Sequence, residues 1–159
     1  MTEQARSEAG RRATVRAILL AAVLALGIAT AAQGSNASLR ASLNVWSTKL
    51  DADARAVALA ARQRHPGRMT NDAITFRRDA LKAFAAIQSQ KPSTTRAARA
   101  KRLALAAYKD YAAAGARWAL TGRARLAHHS TAASTYAHRA AALAQAGNRL
   151  LITAGKLLG

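Results

Sequence analysis

From Leu39 onward, apolar side chains recur in alternating steps of four and three: Leu39, Leu43, Trp46, Leu50, Val57 and Ala60. That rhythm puts them on one stripe of an α-helix about seven turns long, because side chains 3.6 residues apart share a face. A first helix is therefore expected over ~37–64, with Asp53 standing where an apolar residue belongs. It should stop at Arg64-His65-Pro66-Gly67, since proline disfavours helical geometry in the residue before it and glycine permits a reversal. Thr70, Asn71 and Asp72 offer the cap of a second helix over ~72–89, where Ile74, Phe76, Ala80, Leu81, Phe84 and Ile87 form a broad apolar arc. Arg77 falls inside that arc, and an unpaired buried guanidinium is costly, so it requires a partner.

Ser89-Gln90-Lys91-Pro92-Ser93-Thr94 reads as a linker, with Pro92 as stop and Ser93 or Thr94 as the next cap. The third helix, ~94–127, carries Ala104, Tyr108, Tyr111, Gly115, Trp118 and Gly122 in the same rhythm, its glycines letting a neighbouring backbone come close beside large aromatics. Folding the second and third helices about Pro92 brings Arg77 roughly level with Asp110, which is the ion pair expected. A reversal at His128-His129-Ser130-Thr131 then starts a fourth helix over ~131–158, with Tyr136, Ala140, Leu143, Gly147, Leu150, Ala154 and Leu157 on its seam.

Four helices joined by short connections predict an all-α, antiparallel up-down four-helix bundle over residues 37–159. That order sorts the charge to its two ends. One end collects Arg62, Arg64, His65, Arg68, Arg123, Arg125, His128 and His129, the other Arg40, Lys91, Arg96, Arg99, Lys101, Arg102 and Lys156.

Ahead of the bundle, Ala17 to Ala32 runs sixteen residues without a charge, behind a basic n-region (1–16) containing Arg6, Arg11, Arg12 and Arg16, and before a linker at 33–36. Small residues follow the apolar run, and Ala29-Thr30-Ala31 provides an A-x-A cleavage site, so residues 1–32 read as a signal peptide cut near Ala31 or Ala32. Extended to 15–32, with Arg16 snorkelling, the stretch also approaches the lower limit of a membrane anchor, ~17 residues. Both readings place the remainder outside the cytoplasm, in the cell envelope or secreted.

Composition supports helices and sets the partner's sign. Alanine abounds and aromatics are 4%, which favours closely packed helices over sheets. Of 25 Lys+Arg and 7 Asp+Glu, four arginines and two glutamates precede residue 17, leaving 21 basic and 5 acidic residues, near +16. Such a surface attracts polyanions. Four cations in the first two turns of the third helix, Arg96, Arg99, Lys101 and Arg102, oppose its dipole and suggest an anion nearby. With Arg123 and Arg125 at the other end they are the candidate anion-binding residues, acting as point charges.

No catalytic, metal or cofactor motif accompanies them. There is no Cys, no H-E-x-x-H, no Gly-rich phosphate loop, and no glutamate after Glu8, so paired carboxylates are nearly unavailable. The chain is expected to be a non-enzymatic helical bundle, exported or membrane-anchored, whose basic surface associates with lipid headgroups or an acidic envelope polymer. Two alternatives are a nucleic-acid-condensing protein, whose binding would be nonspecific because no docking module for sequence readout is found, and a self-associating structural subunit using Gly147 and Ala154.

Overall fold

The computed structural model describes residues 34–159, with side chains from Asn36 onward. The n-region, the apolar stretch Ala17 to Ala32 and its cleavage sites lie outside the described residues. Four helices pack against each other: α1 (Gly34–Arg62), α2 (Pro66–Gln88), α3 (Thr95–Leu126) and α4 (Ser130–Leu158). Three begin and end within a few residues of the positions expected.

The exception is the start of α2, six residues earlier than expected. Pro66 occupies the first turn, where its missing N–H costs nothing and its fixed φ suits a helix. Thr70, read as part of a cap, lies inside the helix, and its hydroxyl donates to the Pro66 carbonyl at 2.9 Å. The expected cap of α3 does form: the Thr94 hydroxyl accepts from the Ala97 N–H at 3.1 Å.

The turns α1–α2 and α3–α4 are built alike, each without glycine in the left-handed position. Arg64 has φ 57° and His128 φ 58°. In the first turn the His65 N–H donates to the Ala60 carbonyl (3.0 Å) and the Arg64 N–H to that of Ala61 (3.3 Å). In the second, the His129 N–H donates to the Ala124 carbonyl (2.8 Å) and the His128 N–H to that of Arg125 (3.2 Å). This pair of hydrogen bonds is the Schellman closure, which satisfies the last carbonyls of a helix.

Each helix runs antiparallel to the one before it: Lys49 meets Asp79, Gly115 meets Arg77, and Gly147 meets Tyr111. α3 packs closely on both α2 and α4, α1 lies along α2, and α1 touches α3 and α4 only sparsely; α2 and α4 do not meet. Glycine explains the close pairs. A Cβ on Gly122 would lie 2.7 Å from the Pro66 carbonyl oxygen, and one on Gly147 3.0 Å from that of Ala107.

The core has two parts. Near the end where Gly34 enters, here the proximal end, Leu39, Leu43, Leu50, Phe76, Ile87, Tyr108 and Ala154 join all four helices. Toward the distal end, Val57, Ala60, Met69, Ala73 and Ala119 make a smaller cluster drawn from α1, α2 and α3 alone. Phe76 ties the two halves, edge-on to Tyr111 (5.8 Å) and to Trp118 (5.3 Å).

Candidate anion-binding surface

The proximal end gathers the start of α3 and the ends of α2 and α4, and side chains stitch it together. Asn36 accepts from the Ser93 N–H at 3.1 Å, and the Ser38 hydroxyl donates to Gln90 Oε1 at 2.8 Å.

Two of the four candidate cations here are turned onto this framework. Lys101 Nζ donates to the Gln88 carbonyl at 2.7 Å and the Gln90 carbonyl at 2.6 Å, at the C-terminus of α2. Arg96 donates to the Lys156 carbonyl at 3.1 Å, in the last turn of α4. The Gln88 and Lys156 carbonyls lie at the negative poles of their helices, and the Gln90 carbonyl just beyond one of them. The cations that oppose the dipole of α3 thus complement two antiparallel neighbours, and their placement does not by itself require an external anion. Arg99 and Arg102 remain exposed, with no carboxylate partner among the described residues.

Arg123 and Arg125 are exposed at the distal end, where Arg125 Nη1 lies 3.9 Å from Met69 Sδ. From Arg99 to Arg125 the helix rises ~39 Å at 1.5 Å per residue. The six candidates therefore form two separate basic regions and no single pocket. His65, His128 and His129 are exposed at the distal end too. Among the described residues no group of three His, Cys, Asp or Glu side chains is placed to hold a metal ion.

The expected Arg77–Asp110 pair does not form. Arg77 is exposed, with its Cβ against Gly115 and no ion pair among the described residues, so it needs no buried partner. Gly115 rather than Asp110 lies level with it, about one turn further along α3. The apolar arc of α2 is correspondingly narrower than its sequence suggests: Ile74 and Leu81 belong to the exposed side.

The buried polar contact lies instead between α1 and α2. Asp79, only 1% exposed, sits 2.9 Å from Lys49 Nζ, and Lys49 also reaches Asp53 at 3.7 Å. Arg78 and Lys82 approach Asp79 from the rim at 3.5 and 3.8 Å. Burial pushes the Asp79 carboxyl up, but the Lys49 hydrogen bond and the nearby positive charges outweigh it and hold it below its ordinary range. Asp53 moves the other way: burial raises it, the charge of Lys49 opposes this, and Asp79 beside it adds to the rise. Lys49 is raised by the hydrogen bond to Asp79 and by the charge of Asp53. Asp53's position on the apolar seam was the one sequence signal of this cluster; nothing marked Lys49 or Asp79.

Of two phenols in α3, Tyr108 lies in the core and Tyr111 packs against it. The Tyr108 hydroxyl is buried with no hydrogen-bond partner among the described residues, and burial, then the neighbouring Tyr111, pushes it above its usual range. Tyr111 is raised by burial and by the charge of Asp51. A shallow, mostly apolar groove opens between α1 and α4, with Leu43, Leu151 and Leu158 in its walls and Arg40 at its edge.

Four of the five aspartates after residue 34 are thus tied up: Asp51 by Arg55, Asp53 and Asp79 by Lys49, Asp72 by Arg68. Asp110 is half-buried. The cations left over are spread across the outer surface, where they attract anions without shaping a pocket for one. The chain matches no known protein-family model, no curated protein and no solved structure, so its functional reading rests on these residues themselves.

Proposed function

We propose that this protein is a non-enzymatic helical bundle, exported or held at a membrane by its N-terminal stretch, whose basic surface attaches to an anionic partner in the cell envelope. Lipid headgroups and acidic envelope polymers both present the required chemistry. The observation that carries the reading is the charge imbalance at the surface. The few carboxylates are paired or half-buried, while exposed cations such as Arg99, Arg102, Arg123 and Arg125 have no carboxylate partner among the described residues.

Arg99 and Arg102 are the residues to alter, because Arg96 and Lys101 also hold the proximal end together. The full chain should sediment with anionic vesicles or bind a soluble acidic polymer at ~0.1 M salt, where the Debye length is ~10 Å, and release as salt rises. Arg99→Glu with Arg102→Glu should weaken the salt-sensitive part at least about a hundredfold, taking roughly 1 kcal/mol per charge near an anionic surface. Wild-type protein that binds neither target would overturn the proposal.

A further inference from the structure

We propose that the outer face shared by α2 and α3 is a docking surface for an anionic lipid bilayer; this rests on the reading that the partner is anionic. Ile74 and Leu81 stand seven residues apart on α2, so both point the same way, and they are 45% and 49% exposed. They lie on the α3 side of α2, where Arg77 packs its Cβ against Gly115. Beside Leu81, Phe84 is half-buried, with Lys109 Nζ of α3 5.4 Å from its ring centre.

Two aliphatic side chains are therefore flanked by cations that have no carboxylate partner among the described residues, Arg77 and Lys109. Lys109 rests on an aromatic face, an arrangement that keeps the charged head at the level of the apolar surface's edge. The acids of the two helices belong to other stripes. Asp79 faces Lys49 of α1, and Asp72, seven residues earlier, shares its side of α2. Asp110 stands one turn after Ala107, whose carbonyl meets Gly147, and so belongs to the side of α3 nearer α4.

The apolar component selects the bilayer over a dissolved polymer. A polyanion in water offers Arg77 and Lys109 the same Coulombic attraction but gives Ile74 and Leu81 nowhere to leave water. A bilayer interface does both, accepting apolar side chains ~5–10 Å deep beneath its headgroups while the cations meet the lipid phosphates. The glycine-mediated contact of α2 with α3 makes the two helices a close pair, able to lie together along such a plane.

The sequence contains no cysteine, so a single introduced thiol reports one position. Full-length Leu81→Cys and Ile74→Cys, each labelled with an environment-sensitive fluorophore, should shift to the blue with phosphatidylglycerol vesicles and remain unshifted with phosphatidylcholine vesicles or soluble polyphosphate. Val45→Cys, on the outer side of α1 and 65% exposed, should not shift. Ile74→Ser with Leu81→Ser should weaken the charge-dependent vesicle binding about tenfold, as each half-exposed aliphatic loses its transfer out of water. Vesicle binding with no shift at Leu81 and Ile74, or with an equal shift at Val45, overturns the docking face while leaving the general reading standing. Binding of polyphosphate without vesicles overturns the bilayer as partner, and binding of neither overturns both proposals.

Discussion

Replacing Gly122 by alanine sets two effects of known sign against each other. In a helix interior the exchange gains about 1 kcal/mol, because glycine has more backbone freedom to lose. Here the added methyl would lie 2.7 Å from the Pro66 carbonyl oxygen, 3.1 Å from the Thr70 nitrogen and closer still to the Thr70 hydroxyl. That hydroxyl is held by its own bond to the Pro66 carbonyl, and the other two atoms are backbone at the start of α2. The hydroxyl can turn aside only by giving up that bond, and the two backbone atoms cannot yield without moving α2 from α3. Overpacking of this kind costs about 1–3 kcal/mol, and with backbone on the opposing side the upper end applies, leaving a net loss of about 2 kcal/mol. Gly155 is the internal control, since a Cβ there meets nothing within 4 Å and only the propensity gain remains, up to about 1 kcal/mol. For a domain of this size each kcal/mol moves Tm by about 3–5 °C. Thermal melts followed by far-ultraviolet circular dichroism should therefore place Gly155→Ala about 3 °C above wild type and Gly122→Ala roughly 6–10 °C below. Gly115→Ala, whose Cβ would lie 2.9 Å from that of Arg77 and 3.0 Å from the Ala73 carbonyl oxygen, should fall between them. Gly122→Ala melting at or above wild type would refute the close α2–α3 contact.

Asp79 and Asp53 should respond to pH with opposite signs. Asp79 is lowered in the fold, so its stabilisation is present above the unfolded carboxylate pKa and disappears as pH falls through the folded value. Asp79→Asn should then cost roughly 1–2 kcal/mol at pH 7, less than a fully buried pair because Lys49 stays half-exposed, and almost nothing at pH ~2. Asp53 is raised, so its contribution is present below the unfolded pKa and is lost as pH rises through the folded value; Asp53→Asn should gain relative to wild type on going from pH ~3 to 7. Melts across that range check both, and parallel curves for the two variants would contradict the assignment. Arg64→Gly and His128→Gly should each raise stability by about 0.5 kcal/mol, because only glycine takes positive φ without a Cβ penalty, partly offset by its freer unfolded chain. A lower denaturation midpoint in urea for either would count against strain at that turn.

The helices were readable because their signals are short-range. The seam of Leu39, Leu43, Trp46 and Leu50 sets the face of α1, and Thr94 caps α3 through a bond three residues away. The start of α2 was misplaced because two valid local signals compete there. Thr70-Asn71-Asp72 looks like a cap, but Pro66 can begin a helix directly after the Schellman turn, and the earlier start brings Met69 into the distal core beside Ala73. The basic candidates were identified as charges, but what each touches was not legible. Lys101 reaches carbonyls eleven and thirteen residues behind it, and Arg96 one sixty residues ahead.

By itself, then, the sequence determined that the described chain is four helices, where most of them break, and that their surface is cationic, because periodicity, capping and net charge are properties of neighbouring residues. Only the tertiary structure decided the rest: Arg77 exposed, Asp79 buried against Lys49, and Ile74 with Leu81 left outside the core. Those outcomes depend on the rotation and register of one helix against the next. Both are set where Gly115, Gly122 and Gly147 admit a neighbouring backbone, a contact made by residues far apart in the chain.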